Sequence, residues 1–326
     1  MQLHPHSALL SRGGGGAKVA PQFKHYPTMK SPKLLSLAAT AALITSASAT
    51  VTIDWVTVGN AGNAADTTSY GAVSYAYQIG KYEVTNTQYG AFLNAAAKTD
   101  SHGLYDFRMD DAGIGRNGTP GSYTYSVYSG EANHPVRFVS WYDAARFSNW
   151  MHNGQGSGST ETGAYTLNGA TSGIITKNVG ATIYIPTEDE WYKAAYYNGA
   201  TSTYSLYPNG QNSITTADAN YDASVGNSTD IGTYSGDPSP NATYDQGGNV
   251  WEWNDAVIDS QRGLRGGSYG QDWASQSILH SSVRGDFNPT RDGDDLGFRL
   301  VAAVPEPSSM VLTMLASGMM LIRRKR

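Results

Sequence analysis
The sequence predicts one loop-rich α+β domain over residues 50–303, and three features of the chain predict it. Short helices are marked by capping residues, a few strand-length apolar runs lie among them, and long Gly, Asn, Ser, Thr and Tyr stretches separate both. The first helix starts at Thr85, which can cap residues 86–97 with Tyr89, Phe92 and Leu93 at helical spacing. Ser140 precedes Trp141 and has Asp143 three residues on, close to a capping box, while Ala144, Ala145, Phe147, Trp150 and Met151 supply an apolar face. Thr187 with Glu190 is a full capping box, and Pro186 closes the strand expected over 182–185 by keeping the preceding residue extended. Further short strands are expected at 75–79 and 297–302. Loops this long carry function or are held by something other than a ladder, such as a bound ion. The Gly/Ser/Asn-rich patches at 153–162 and 234–243 read as surface loops, and no repeat of solenoid period is visible.

Composition removes several classes of function. None of the 326 residues is cysteine, so there is no disulfide framework, thiolate metal site or cysteine nucleophile. With 40 % hydrophobic and 11 % aromatic residues, the chain has enough apolar material to close a sizeable core. The formal charge of −5 hides an asymmetry: residues 50–304 hold 13 Lys and Arg against 26 Asp and Glu, a net −13. A body that acidic is poorly suited to a phosphate backbone, so no nucleic-acid partner is expected.

Both ends read as addresses. Residues 29–49 combine a short basic start, an apolar stretch over 34–44 and the Ala47-Ser48-Ala49 site of a secretory signal peptide, which predicts cleavage by signal peptidase after Ala49. Residues 1–28, with the glycine run 13–16, are expected to be an upstream extension, the protein proper beginning at Met29. At the other end, Pro305-Glu306-Pro307 precedes an apolar run over 310–322 and the basic block Arg323-Arg324-Lys325-Arg326. This tail, 304–326, fits a short membrane segment with a cytoplasmic end. It resembles the PEP-CTERM sorting signal of Gram-negative bacteria, which implies export, recognition by exosortase, transient membrane anchorage and delivery to the cell surface.

Six segments in order resemble the formylglycine-generating enzyme family, also called sulfatase-modifying factor domains. They are Gly80-Lys81-Tyr82-Glu83-Val84-Thr85-Asn86, His134-Pro135-Val136-Arg137-Phe138-Val139-Ser140-Trp141, Ile185-Pro186-Thr187-Glu188-Asp189-Glu190-Trp191, Gly247-Gly248-Asn249-Val250-Trp251-Glu252-Trp253, Arg265-Gly266-Gly267-Ser268-Tyr269 and Leu296-Gly297-Phe298-Arg299. The resemblance implies a C-type-lectin-like fold. The family's oxidase activity needs two cysteines that bind copper(I), and counting forward from Tyr269 puts Gln271 and Gln276 at those places. A glutamine amide is not a soft copper(I) ligand, so neither copper nor formylglycine chemistry is expected. Iron-dependent relatives hold their metal in a separate histidine-bearing domain. Here His102, His134, His152 and His280 are widely spaced and read as structural or surface residues.

The resemblance also implies calcium. Carried over by position, one site takes the Asp245 side chain, the Gly248 and Val250 carbonyls and the Glu252 carboxylate; a second takes the Asn220 side chain and the Tyr221 carbonyl. A hard cation asks for about 6 to 8 oxygens, which a glycine turn and carboxylates can supply. Asp292-Gly293-Asp294-Asp295 lacks the spacing of an EF-hand loop and reads as a solvated loop. Trp141, Trp191, Trp251 and Trp253 are expected in the core. Trp273, between the two glutamines, stands on the loop that lines the family's peptide cleft, so Ser268, Gln271, Trp273 and Gln276 are the ligand-cleft candidates. No histidine can be placed beside Ser268, and no nucleophile, base and orienter set can be assembled. These features together predict an exported, surface-sorted, calcium-stabilised binding or structural module with a polysaccharide or protein ligand. The alternative is a metal-dependent oxidoreductase with altered chemistry.

Overall fold
Each long helix begins where a side chain can satisfy its free N–H groups. The computed structural model describes residues 50–304, apart from 237 and 271–274, together with positions 20 and 22. Strand β1 (Trp55–Val58) pairs antiparallel with β2 (Tyr77–Gly80). Helix α1 (Asn86–Ala96) follows, with the Thr85 hydroxyl accepting from the Gln88 N–H and the Gln88 side chain accepting from that of Thr85. Across α1 lies the hairpin β3 (Ile114–Asn117) and β4 (Thr124–Val127), tied to it by Asn94 Nδ2, which donates to the Tyr125 carbonyl at 2.8 Å. Helix α2 (Trp141–His152) carries the Ser140–Asp143 box that the sequence predicted. After β5 (Ile183–Tyr184) comes α3 (Glu188–Tyr196) with the Thr187–Glu190 box, then the small hairpin β6 (Tyr197–Asn198) and β7 (Thr203–Tyr204). The remaining strands are β8 (Trp251–Ile258), β9 (Gln261–Arg265), β10 (Gly285–Phe287), β11 (Leu296–Gly297) and β12 (Val301–Ala303).

Two four-stranded sheets result, ordered β1-β2-β12-β5 and β10-β9-β8-β11. The pair β11–β8 is parallel and every other pair within them is antiparallel. The strand expected at 297–302 is therefore two strands in different sheets. Between them Phe298 packs edge-on against Phe147 of α2, with ring centroids 5.5 Å apart, while its carbonyl and that of Leu300 accept from Val84 and Gly80. The chain crosses from one sheet to the other there because Phe298 and Arg299 are both drawn inward, which breaks the alternation a strand requires. The strand expected over 182–185 shrinks to two residues, and that expected at 75–79 starts two residues later and ends one later.

The core fills the space between helices and sheets. Tyr89 and Phe92 of α1 meet Phe147 and Trp150 of α2 at centroid distances of 5.3 to 5.9 Å, in the edge-on and offset geometries aromatic rings prefer. All four expected core tryptophans are buried. Trp253 Nε1 donates to the Val139 carbonyl at 2.9 Å, and the Arg262 guanidinium lies 3.7 Å over the Trp141 ring.

Candidate functional site
At the meeting point of both sheets and α3 lies a buried charged frame. Arg299, which follows β11, donates through Nε and Nη2 to the two oxygens of Glu252 on β8, both at 2.6 Å. Its remaining N–H groups reach the carbonyls of Gly80, Lys81 and Tyr244. Trp191 of α3 donates its indole N–H to Glu252 Oε2 at 2.7 Å. Arg299, Glu252 and Trp191 are fully buried, so each charge is held by a planar fork of strong bonds. A second such frame joins Arg265 of β9 to Glu188 of α3, with Arg284 donating to both Glu188 oxygens.

Around Arg299 the acids outnumber the bases. Glu83 lies 3.9 Å from the guanidinium, and Asp245 accepts from the Gly232 N–H at 2.6 Å. Burial, and then the charge of Asp245, pushes the Glu83 carboxyl well above the usual carboxylate range. Burial likewise pushes Asp245 up to about 6. Three carboxylates thus share one buried guanidinium, and Glu83 Oε2, 3.9 Å from it, has no hydrogen-bond partner among the described residues.

The calcium candidates divide on this geometry. Glu252 has both oxygens bound to Arg299 and Trp191, so the set Asp245, Gly248, Val250 and Glu252 has its strongest donor committed to an internal cation. The set Asn220 and Tyr221 fits better. Asn220 is 1 % exposed, its Nδ2 donates to the Asn227 carbonyl, and its Oδ1 is buried without a hydrogen-bond partner among the described residues. A buried oxygen of that kind is costly unless something binds it.

The cleft candidates are spread. Ser268 is fully buried and donates to Asp295 Oδ2 at 3.2 Å, so it belongs to the interior. Gln276 is exposed on a 3-10 helix, Ser275–Leu279. Gln271 and Trp273 lie outside the described residues. Next to Tyr269, whose hydroxyl accepts from Arg137 Nη1 at 2.9 Å, an open cleft of about 540 Å³ is lined by Arg108, Asp111, Phe138, Arg291, Asp292, Gly293 and Asp294. The segment read as a solvated loop is therefore a wall of this cleft. Phe138 has φ 59°, a left-handed conformation that is uncommon for a bulky side chain and concentrates at functional sites. Its N–H bonds the Gly293 carbonyl at 2.8 Å and its ring lies 4.9 Å from the Arg108 guanidinium.

Residues 45–304 match the sulfatase-modifying factor enzyme 1-like domain. The chain belongs to this family. Hercynine oxygenase of Mycobacterium tuberculosis is 24 % identical over 258 residues, which are 69 % of this chain and 52 % of that protein. The chain thus spans about half the length of this curated relative. Among solved structures it is similar to Treponema denticola variable protein 1, with a TM-score of 0.54 and 21 % identity over 78 % of this chain and 99 % of that one. It is also similar to CarF, with a TM-score of 0.52 and 23 % identity over 78 % and 99 %. At these identities the likeness is one of fold, the loop-rich, C-type-lectin-like fold that the resemblance implied.

In this sulfatase-modifying-factor domain the motif residues Glu83, Trp191, Asn249, Glu252 and Arg299 converge, and sequence reasoning placed only Glu252 in a site. Each body histidine has partners of its own: His102 with Glu161, His152 with Thr182 and His280 with Ser282. His134 pairs with a serine the sequence did not suggest, Ser228, at 3.0 Å from Nδ1, and its Nε2 faces Asp230 at 3.6 Å. Ser228 is 2 % exposed, which leaves its hydroxyl no access to a substrate.

Proposed function
We propose that this chain is an exported, surface-sorted sulfatase-modifying-factor domain that binds a surface polysaccharide or protein rather than oxidising cysteine. The observation that carries the reading is the absence of both family cysteines, with Gln271 and Gln276 at their places. Copper(I) prefers soft sulfur, and the family reaction passes through a disulfide with the substrate thiol, which an amide cannot form. The cleft beside Tyr269 offers an aromatic face at Phe138 and both signs of charge at Arg108, Arg291, Asp292 and Asp294. Such a lining suits the ring faces and polar groups of a sugar or a peptide. Aerobic incubation with copper(I) and a sulfatase-type cysteine peptide should leave the peptide mass unchanged. A mass loss at the cysteine would restore the oxidase reading.

Calcium at Asn220 Oδ1 and the Tyr221 carbonyl is the stabilising part of this proposal. An ion bound only by the native state adds about 2.7 kcal/mol when it is a hundredfold above its dissociation constant. Chelator should therefore lower the melting midpoint, and Asn220→Ala should abolish that response. Equal midpoints with calcium and with chelator would rule the ion out.

Export supplies the setting. The signal peptide at 29–49 and the tail at 304–326 call for signal peptidase and exosortase, with a mature chain from Thr50 to the region of Pro305. Mass spectrometry of the protein extracted from the cell surface tests this, and a mature species retaining Arg323 to Arg326 would contradict it.

A further inference from the structure
We infer that Asn117, the last residue of β3, is a self-modification site at which the native chain converts a side-chain amide to aspartate and isoaspartate. The sequence holds five Asn-Gly pairs, beginning at Asn117, Asn153, Asn168, Asn198 and Asn209. Each can close on itself. The glycine nitrogen bonds to the asparagine Cγ, the Cγ–Nδ2 bond breaks, and ammonia leaves with the proton the glycine nitrogen gave up. Water then opens the cyclic imide at either carbonyl, giving aspartate or a main chain lengthened through the side-chain carbon. Glycine permits the attack because no Cβ crowds its nitrogen. Water is the only co-reactant, so the local fold decides which pair reacts.

The five pairs are held differently. Asn153 Nδ2 donates to the Ser159 and Thr162 carbonyls at 2.8 and 2.7 Å. Asn209 is buried, with Nδ2 on the Ser213 carbonyl and Oδ1 accepting from the Gln211 N–H. Asn198 Oδ1 accepts from the Ala200 N–H at 3.0 Å. At Asn168 the nucleophile itself is held, because the Gly169 N–H donates to Glu161 Oε2 at 2.7 Å. Burial would raise the Glu161 carboxyl, but Arg146 bonds it and it lies below the usual carboxylate range, which makes it a poor base for that N–H. Asn117 differs. Among the described residues neither its side chain nor the Gly118 N–H has a hydrogen-bond partner, and both residues are exposed. The Asn117–Gly118 link also lies past the ladder, whose last pair is Asn117 with Thr124, and Gly118 turns away with φ 95°. An anchoring hydrogen bond must break before the reacting atoms can meet, so each one slows the closure severalfold. This inference stands independently of the calcium, cleft and export readings.

The test holds the full chain at mildly alkaline pH, once native and once in urea, and follows each Asn-Gly peptide by mass spectrometry over time. In urea the five pairs should convert at similar rates, because each has the same two residues and no fold to hold them. In the native chain Asn117 should convert at least about fivefold faster than any of the other four. Asn117→Gln moves the amide one methylene away from the glycine nitrogen and should remove conversion at this position. It should leave the melting midpoint near wild type, since the hairpin keeps its tie to α1 through Asn94 and Tyr125. Asn117 converting no faster than the other four in the native chain overturns the inference, as does a spread among the five that persists unchanged in urea.

Discussion

Replacing Arg299 by alanine should cost at least about 3–5 kcal/mol, the range for removing one partner of a buried ion pair, and at the upper end should leave no cooperative transition. The substitution leaves Glu252 with the Trp191 indole, and removes from Glu83 and Asp245 the Arg299 charge that favours their ionised forms. It also frees the carbonyls of Gly80 and Tyr244, which Arg299 holds at 3.0 Å. Arg299→Lys keeps the charge but not the planar fork, so it should fall between wild type and alanine. Arg299→Met with Glu252→Leu removes both charges and should recover part of the loss, because the desolvation of that pair disappears with it. Urea unfolding followed by tryptophan fluorescence reads all three. A loss below about 1 kcal/mol for Arg299→Ala would mean the guanidinium is solvated or replaceable, contrary to its burial.

What the sequence disclosed and what it hid follow from distance along the chain. Thr85 and Gln88, Ser140 and Asp143, and Thr187 and Glu190 are three residues apart, so each capping box is a local pattern and all three helices begin where expected. Arg299 and Glu252 are 47 positions apart and Asn249 and Glu83 are 166 apart. No periodicity encodes such pairs. The ordered motifs did mark the neighbourhood, because the frame is assembled from their residues, but position-by-position transfer gave no sign that Glu252 forks with Arg299. The strand expected at 297–302 divided for the same reason: nothing local in the sequence marks the inward pull of Arg299, whose partner Glu252 lies on another strand. The pairing of His134 with Ser228 depends on a loop whose course only the fold determines.

Gly248→Ala should be the most damaging of the conservative glycine changes, at about 2–5 kcal/mol when the left-handed backbone penalty and overpacking are combined. Gly248 has φ 81°, and a Cβ there would stand 2.1 Å from the Asn220 carbonyl oxygen. The obstacle is backbone, and it is held in place because that oxygen accepts from the Asn249 N–H at 2.8 Å while the Gly248 N–H bonds Gly266 at 2.9 Å. Relief must come by moving the Asn220 turn, and with it the unpartnered Asn220 Oδ1 proposed to hold calcium. The substitution should therefore lower the melting midpoint and also shrink the difference between calcium and chelator. Gly59→Ala is the matched control, since a Cβ there meets nothing within 4 Å and φ is not positive, so its midpoint and calcium response should stay near wild type. If Gly248→Ala lowers the midpoint while the calcium response is undiminished, the ion is held away from the Asn220 turn, and the glycine serves packing alone.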